Sequence, residues 1–262
     1  MITVMGATGN VGRPLVRVLA AAGEQVAAVS RQKTPDVPDG VRVVPSVESA
    51  LDGVEALFLM VPGGFAPLDD LLAAARSAGV GRVVLLSSQG VATGRHPTVL
   101  EDSVRASGLK WTMLRPGGFA SNAFQWAESV RTARKLAAPF GDVALPLIDP
   151  QDIAEVAASA LLSDRSGDIY ELTGPAAITP RQQAAAIGEA LGEQVDFIPQ
   201  TREEALQTML AFMPPEVADA TLNILGAPTP REQQVSPDVA RVLGRPPRPF
   251  AEWAARNAAA FK

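Results

Sequence analysis

Cysteine is absent from the 262-residue chain. That absence removes disulfides, thiolate nucleophiles, cysteine-held zinc and iron–sulfur clusters together. Histidine occurs once, as His96, so a histidine-rich metal site is excluded. A Ser-His-Asp triad would have to be built on His96 alone. No metal site is expected. Tyrosine also occurs once, as Tyr170. No apolar run reaches bilayer length, and no charged leader with a long apolar stretch precedes the first turn. A cytoplasmic location with no membrane partner is therefore expected. Long Lys/Arg clusters are missing and the net charge is −5, which argues against nucleic acid as a partner.

Apolar residues make up 47% and charged ones 19%, an ordinary globular composition. The length suits one large domain, or one domain with a smaller lobe. Residues 2–5 read as an apolar strand ended by Gly6. Val11, Leu15, Val18, Leu19 and Ala22 form a helical stripe over 11–22, stopped by Gly23. Further strands are predicted at 25–30, 41–44, 55–61, 82–87 and 111–114, and helices at 67–78 and 98–107. The run 55–61 (EALFLMV) is nearly all apolar, as in strands buried on both faces of a parallel sheet. The connection 45–54 holds one or two helical turns at most. This alternation predicts an α/β fold, a Rossmann-type doubly wound parallel sheet.

After Pro116-Gly117-Gly118 the rhythm changes. A mostly helical stretch is expected over 120–137, and a helix over 150–162 with Asp149 or Asp152 near its start as cap and dipole partner. A strand follows at 168–172, then a helix from Thr179-Pro180 to Leu191, a strand at 195–198, and proline-broken helices over 202–262. The expected division is a nucleotide-binding core, 1–118, and a small mixed C-terminal lobe, 119–262, with about 143–175 returning to the core. The segment 202–212 could serve as a lid, a lobe core or a dimer face, and the oligomeric state is left open.

The sharpest local feature is the turn Gly6, Ala7, Thr8, Gly9, Asn10, Val11, Gly12, between the first strand and the first helix. Gly6 permits the tight turn, Gly9 lets backbone approach a diphosphate, and Gly12 allows close helix–strand packing. The helix N-terminus adds free N–H groups and partial positive charge for the anion. In NAD-binding chains an acid ends the second strand to accept from the ribose 2′-hydroxyl. Here the strand runs into Arg31, and no carboxylate appears before Asp36. Arg31, with Lys33 or Arg13 as a second cation, suits a 2′-phosphate, so NADP(H) is expected over NAD(H).

The GATGNVG turn, the Val29-Ser30-Arg31 strand end and the stretch 107–119 (SGLKWTMLRPGGF) with Asn122 resemble the NmrA-like branch of the atypical short-chain dehydrogenases/reductases. So do Asp152-Ile153-Ala154, 170–175 (YELTGP) and the tail 243–253 (LGRPPRPFAEW). The resemblance spans nearly the whole chain. It implies a Rossmann-type NADP(H) domain, a small C-terminal lobe and a cleft between them. Its members include quinone and dye reductases and redox-sensing regulators. It implies that Met60, Val61, Pro62 and Gly63 border the cofactor ribose. Ser87 and Ser88 would face the nicotinamide, and Pro116, Gly117 and Phe119 would lie along the nicotinamide and substrate.

The Tyr-x-x-x-Lys pair of the main short-chain family is missing: Tyr170 is followed four residues on by Gly174. Many NmrA-like chains keep a lysine four residues before a glutamate. Glu101 matches that glutamate, but Pro97 stands at the lysine position. Without a strong positioned acid, ordinary ketone reduction is disfavoured, since a general acid typically contributes about 10²–10⁴-fold. A quinone-like or conjugated aromatic acceptor, which spreads the incoming charge, needs proximity and orientation more. Direct hydride transfer to such an acceptor is the expected activity. The proton would come from water, Ser88 or His96, the last in the loop after the fifth strand. The alternatives are a redox sensor that binds NADP(H) without turnover, and a non-redox biosynthetic enzyme on the same fold. Phe119 and Asn122 are candidate substrate contacts, though Asn122 could instead cap the following helix. Phe119, Phe124, Trp126 and Phe140 could line a flat pocket or form core.

Overall fold

The computed structural model describes residues 1–32, 35–61 and 66–262. The chain begins β1 (Ile2–Val4), α1 (Gly12–Ala21), β2 (Val26–Val29), β3 (Arg42–Val44), β4 (Ala56–Leu59), α2 (Asp69–Ser77), β5 (Arg82–Leu86) and α3 (Gln89–Ala92). It continues with α4 (Val99–Ala106), β6 (Lys110–Pro116), α5 (Ala127–Ala133), β7 (Lys135–Pro139), α6 (Pro150–Leu162), β8 (Asp168–Leu172), α7 (Pro180–Leu191) and β9 (Asp196–Gln200). It closes with α8 (Arg202–Met209), α9 (Pro215–Gly226), α10 (Pro230–Gln233), α11 (Asp238–Leu243) and α12 (Phe250–Arg256). Between β3 and β4 there is a single 3₁₀ turn, Glu48–Ala50, as the short connection requires.

Two compact units are formed. The first takes Met1–Pro116, Pro150–Leu172 and Pro237–Pro246. Its described strands make one sheet in the order β3-β2-β1-β4-β5-β6-β8, every neighbouring pair parallel. The expected doubly wound α/β sheet is what forms. Strand order reverses at the neighbours β1 and β4, and ligands of such sheets bind beyond the carboxyl ends of the strands at that reversal. Parallel strands covered on both faces must be apolar throughout. All of Ala56, Leu57, Phe58 and Leu59 are buried, and Leu57 and Leu59 pack with Leu72, Val83, Leu85, Val104 and Met113. The buried hydroxyl of Thr3 is satisfied by donating to the Ala50 carbonyl at 3.1 Å.

The second unit takes Gly117–Asp149, Thr173–Ser236 and Pro247–Lys262. Helix α7 starts at a capping box: the Thr179 hydroxyl accepts from the Gln182 N–H, and the Gln182 side chain accepts from the Thr179 N–H. Its apolar face joins Val130, Leu136, Phe250, Trp253 and Phe261 in one cluster. The stretch expected to be helical over 120–137 is a 3₁₀ segment, Ala120–Trp126, then α5, then strand β7. Arg134 adopts a left-handed conformation (φ 54°) that stops α5, and β7 then pairs in parallel with β9. Ladder hydrogen bonds to a distant segment and burial of Leu136 and Ala138 override a helix-favouring local sequence. Helices α8 and α9 enclose a separate small cluster of Ala205, Met209, Ala218 and Leu222.

Candidate active site

The glycine turn sits at the carboxyl end of β1. Gly6 takes φ +69°, which favours glycine, and its carbonyl accepts from the Gly9 N–H at 2.9 Å. A Cβ on Gly12 would lie 2.6 Å from the Gly6 carbonyl carbon and 2.9 Å from the Ala7 Cα, so the helix start packs directly on the turn. At Gly9 a Cβ would sit 3.3 Å from the Gly6 oxygen, close to ordinary contact. The turn's own packing therefore demands glycine less at that position than at Gly12. Helix α1 opens with no side-chain cap and no acid in its first turn, which leaves its amino end suited to an anion. Ala7 and Val11 are buried, Thr8 is half buried, and Asn10 is exposed. The turn thus fits a dinucleotide diphosphate.

Met60 follows β4 and reaches over the turn: a Cβ on Gly6 would overlap its terminal methyl. Val61 follows it, half buried. Pro62 and Gly63, also expected beside the cofactor ribose, lie outside the described residues, as does Lys33. At the end of β2 the Ser30 hydroxyl accepts from the Gln32 N–H at 3.1 Å, and Arg31 is exposed. Asp36, the first carboxylate after β2, pairs instead with Arg17 at 2.9 Å. Arg13 lies along the glycine turn, its guanidinium 3.5 Å from the Thr8 carbonyl oxygen.

Two serines close β5 and their hydroxyls are wired differently. Ser87 donates to Glu101 at 2.6 Å. Glu101, on α4, is buried and is gripped by Arg115 of β6 through two bonds at 2.8 and 2.6 Å. Arg105, one turn along α4, adds a third cationic donor to the carboxylate at 2.9 Å. Burial pushes the Glu101 carboxyl up, but the hydrogen bonds from Arg115 and Ser87 and the charges of Arg115 and Arg105 outweigh it and hold the group below its usual range. Ser88 caps the short helix α3 by accepting from the Gly90 N–H at 3.0 Å, and its hydroxyl is also 3.0 Å from His96 Nδ1. The imidazole lies against Gly90, where a Cβ would come within 2.7 Å of His96 Cγ. His96 and Ser88 thus lie within hydrogen-bond distance of each other. The Glu101–Arg115 grip was not foreseen. Both residues stood in the quoted motifs, but 14 positions apart on different elements.

Tyr170 lies in β8 and donates to Asp168 at 2.9 Å, toward the amino end of its strand. Burial and the Asp168 carboxylate raise its pKa. Pro116 ends β6, buried. In the second unit, Gly117 is half buried, and Phe119 bridges to Ile148. Asn122 is exposed and makes no side-chain cap for the 3₁₀ segment that begins after Phe119. Phe124 belongs to an aromatic cluster, 4.9 Å from Trp253 and 6.1 Å from Phe261 between ring centres. Trp126 packs on the same cluster, and Phe140 packs against the α8–α9 cluster. Asp149 and Asp152, flanking the start of α6, form ion pairs with Arg256 and Arg245 respectively. Among the described residues no group of three or more His, Cys, Asp or Glu side chains could hold a metal ion. No helix among them is long and apolar enough to cross a membrane.

The profile of an NAD(P)H-binding family matches residues 6–164. The chain belongs to that family. It is an NAD(P)H-dependent oxidoreductase. It is 37% identical over 279 residues to a (4-alkanoyl-5-oxo-2,5-dihydrofuran-3-yl)methyl phosphate reductase of Streptomyces griseus, covering 100% of this chain and 99% of that one. It is 33% identical over 284 residues to an NAD(P)H azoreductase of Xenophilus azovorans, with the same coverage of 100% and 99%. The fold is shared with an NADPH-dependent quinone oxidoreductase from Escherichia coli solved with NADPH: TM-score 0.79, 24% identity, 98% of this chain and 99% of that chain covered.

Proposed function

We propose that the protein is an NADPH-preferring reductase of quinone-like and other conjugated, electron-poor acceptors, working by direct hydride transfer. One observation carries this reading: the lone tyrosine is tied to Asp168 instead of standing beside Ser87 and Ser88, so the β5 end offers hydroxyls and one imidazole but no activated phenol. An acceptor whose negative charge is delocalised tolerates such a weak proton supply. The relatives named for an azo substrate and for an unsaturated, acyl-bearing lactone phosphate fit the same description, since both bonds to be reduced are conjugated.

A bound reduced nicotinamide supplies the hydride. The chain's residues do the rest. The Gly6–Gly12 turn and the α1 amino end hold the diphosphate, Met60 and Val61 bound the ribose side, and Arg31 pairs with the 2′-phosphate. When His96 is protonated, its Nδ1–H donates to Ser88, which frees the Ser88 proton for the reduced acceptor. Passing that proton on leaves His96 neutral and the product uncharged at that atom. Phe119 and Asn122 are assigned to the acceptor's surroundings.

The test is NADPH oxidation, followed by loss of its absorbance, across a panel of quinones, azo dyes and simple ketones. Turnover on the first two and little on ketones is expected. Tight NADPH binding without oxidation of any acceptor would return the protein to the sensor reading. No binding at all would remove the nucleotide from its function.

A further inference from the structure

We propose that Ser87 acts on the cofactor purely as a hydrogen-bond acceptor, and that Glu101, locked by Arg115 and Arg105, is the positioning residue that enforces this polarity. The inference rests on the NADPH-binding reading above and deepens it. A carboxylate offers about four acceptor sites and no donor. Glu101 has four of them filled: Oε1 by Ser87 and Arg115 Nε, Oε2 by Arg115 Nη2 and Arg105 Nη2. The two-toothed Arg115 grip fixes the carboxylate plane, as a lysine could not. Three cationic donors keep the group ionised, so it cannot hand a proton back to Ser87. The Ser87 hydroxyl, at 2.6 Å, has therefore spent its only proton on Glu101. Its backbone is fixed too, because the Ser87 N–H donates to the Leu114 carbonyl at 2.8 Å.

What Ser87 has left, at the carboxyl end of β5, is lone pairs. They suit a neutral donor on the nicotinamide half of the cofactor, an amide N–H or a ribose hydroxyl. They repel a bare carbonyl oxygen or anion. The neighbouring Ser88 is wired differently: its hydroxyl accepts from the Gly90 N–H and meets the His96 imidazole, and no carboxylate among the described residues fixes its proton. Of the two serines at this strand end, the Glu101 network fixes the polarity of Ser87.

The experiment measures binding, not turnover. NADPH is titrated against wild type, Ser87→Ala, Glu101→Gln and the double variant by tryptophan fluorescence, with thermal unfolding recorded for each. Adenosine 2′,5′-bisphosphate, which lacks the nicotinamide half, is titrated in parallel. Ser87→Ala is expected to weaken NADPH about tenfold, the scale of one hydrogen bond, and to leave the bisphosphate unchanged. Glu101→Gln is expected to weaken NADPH alone in wild type and to add nothing in the Ser87→Ala background, whatever it does to the unfolding temperature. Ser87→Thr, which keeps the hydroxyl, should retain most of the affinity. Equal NADPH affinity for wild type and Ser87→Ala overturns the proposal, as do losses that multiply in the double variant. Should Glu101→Gln fail to fold, Arg115→Lys takes its place with the same expected pattern. Failure of wild type to bind NADPH would instead refute the parent reading, so the two failures are distinguishable.

Discussion

Gly12 and Gly9 lie in one turn but should fail in different ways when given a methyl group. At Gly12 the added carbon would stand 2.6 Å from the Gly6 carbonyl carbon and 2.9 Å from the Ala7 Cα, where ordinary contact begins near 3.4 Å. All these atoms are backbone, so no side-chain rotation relieves the overlap, and the turn must move by the better part of an ångström. Overpacking of that kind costs about 1–3 kcal/mol. At about 2–4 °C per kcal/mol for a chain of this size, Gly12→Ala should lower the unfolding temperature by about 2–12 °C. It should weaken NADPH binding as well, because the displaced turn no longer presents its N–H groups. At Gly9 the new methyl needs only a slight shift from the Gly6 oxygen, 3.3 Å away. Gly9→Ala should keep an unfolding temperature within about 2 °C of wild type, yet lose roughly tenfold or more in NADPH affinity, the scale of one or two hydrogen bonds to a charged group. Ligand-free thermal unfolding and a fluorescence titration separate the two effects. Native NADPH affinity in Gly9→Ala would show that the diphosphate does not lie on this turn. A native unfolding temperature in Gly12→Ala would refute the packing argument.

Removing the Arg31 guanidinium should weaken NADPH at least tenfold and NADH hardly at all; equal losses in parallel titrations would take Arg31 out of 2′-phosphate recognition. His96→Ala should slow turnover more on acceptors that leave a more basic anion, and undiminished turnover across the panel would remove the imidazole from proton delivery. Glu101 gives a pH prediction. Its folded pKa lies below the usual 4.5, so its stabilising contribution is whole above that value and is lost as acid titrates the folded carboxyl. Unfolding temperatures recorded downward from pH 5 should therefore fall, and Glu101→Gln should flatten part of that fall; an unchanged slope would mean the carboxyl carries no such shift.

The sheet was legible because its strands are short, apolar and separated by turn residues, so period and punctuation agree. The apolar run at β4 and the DIYEL strand of β8 stood out for that reason. So did α7, whose Thr179, Pro180 and Gln182 start signals match the capping box that forms. Strand β7 was not legible. Its residues favour helix locally, and only pairing with β9, more than fifty positions on, makes it extended. The glycine turn announced itself through spacing, whereas the Glu101 network did not. Charges that meet across α4 and β6 carry no periodic mark in the sequence, and their value comes from burial that only the fold creates.

The first unit is stitched from three separate stretches, the last being Pro237–Pro246, and the second unit fills the gaps between them and the tail. Neither core is finished before the stretch Pro237–Pro246 has been made. The leading strands and helices must wait, exposed, for α6, β8 and α11 to arrive. Such late closure favours slow maturation and help from chaperones during synthesis. It also means that neither half can be excised by a single cut, so fusion or split-protein designs on this scaffold must respect the interleaving.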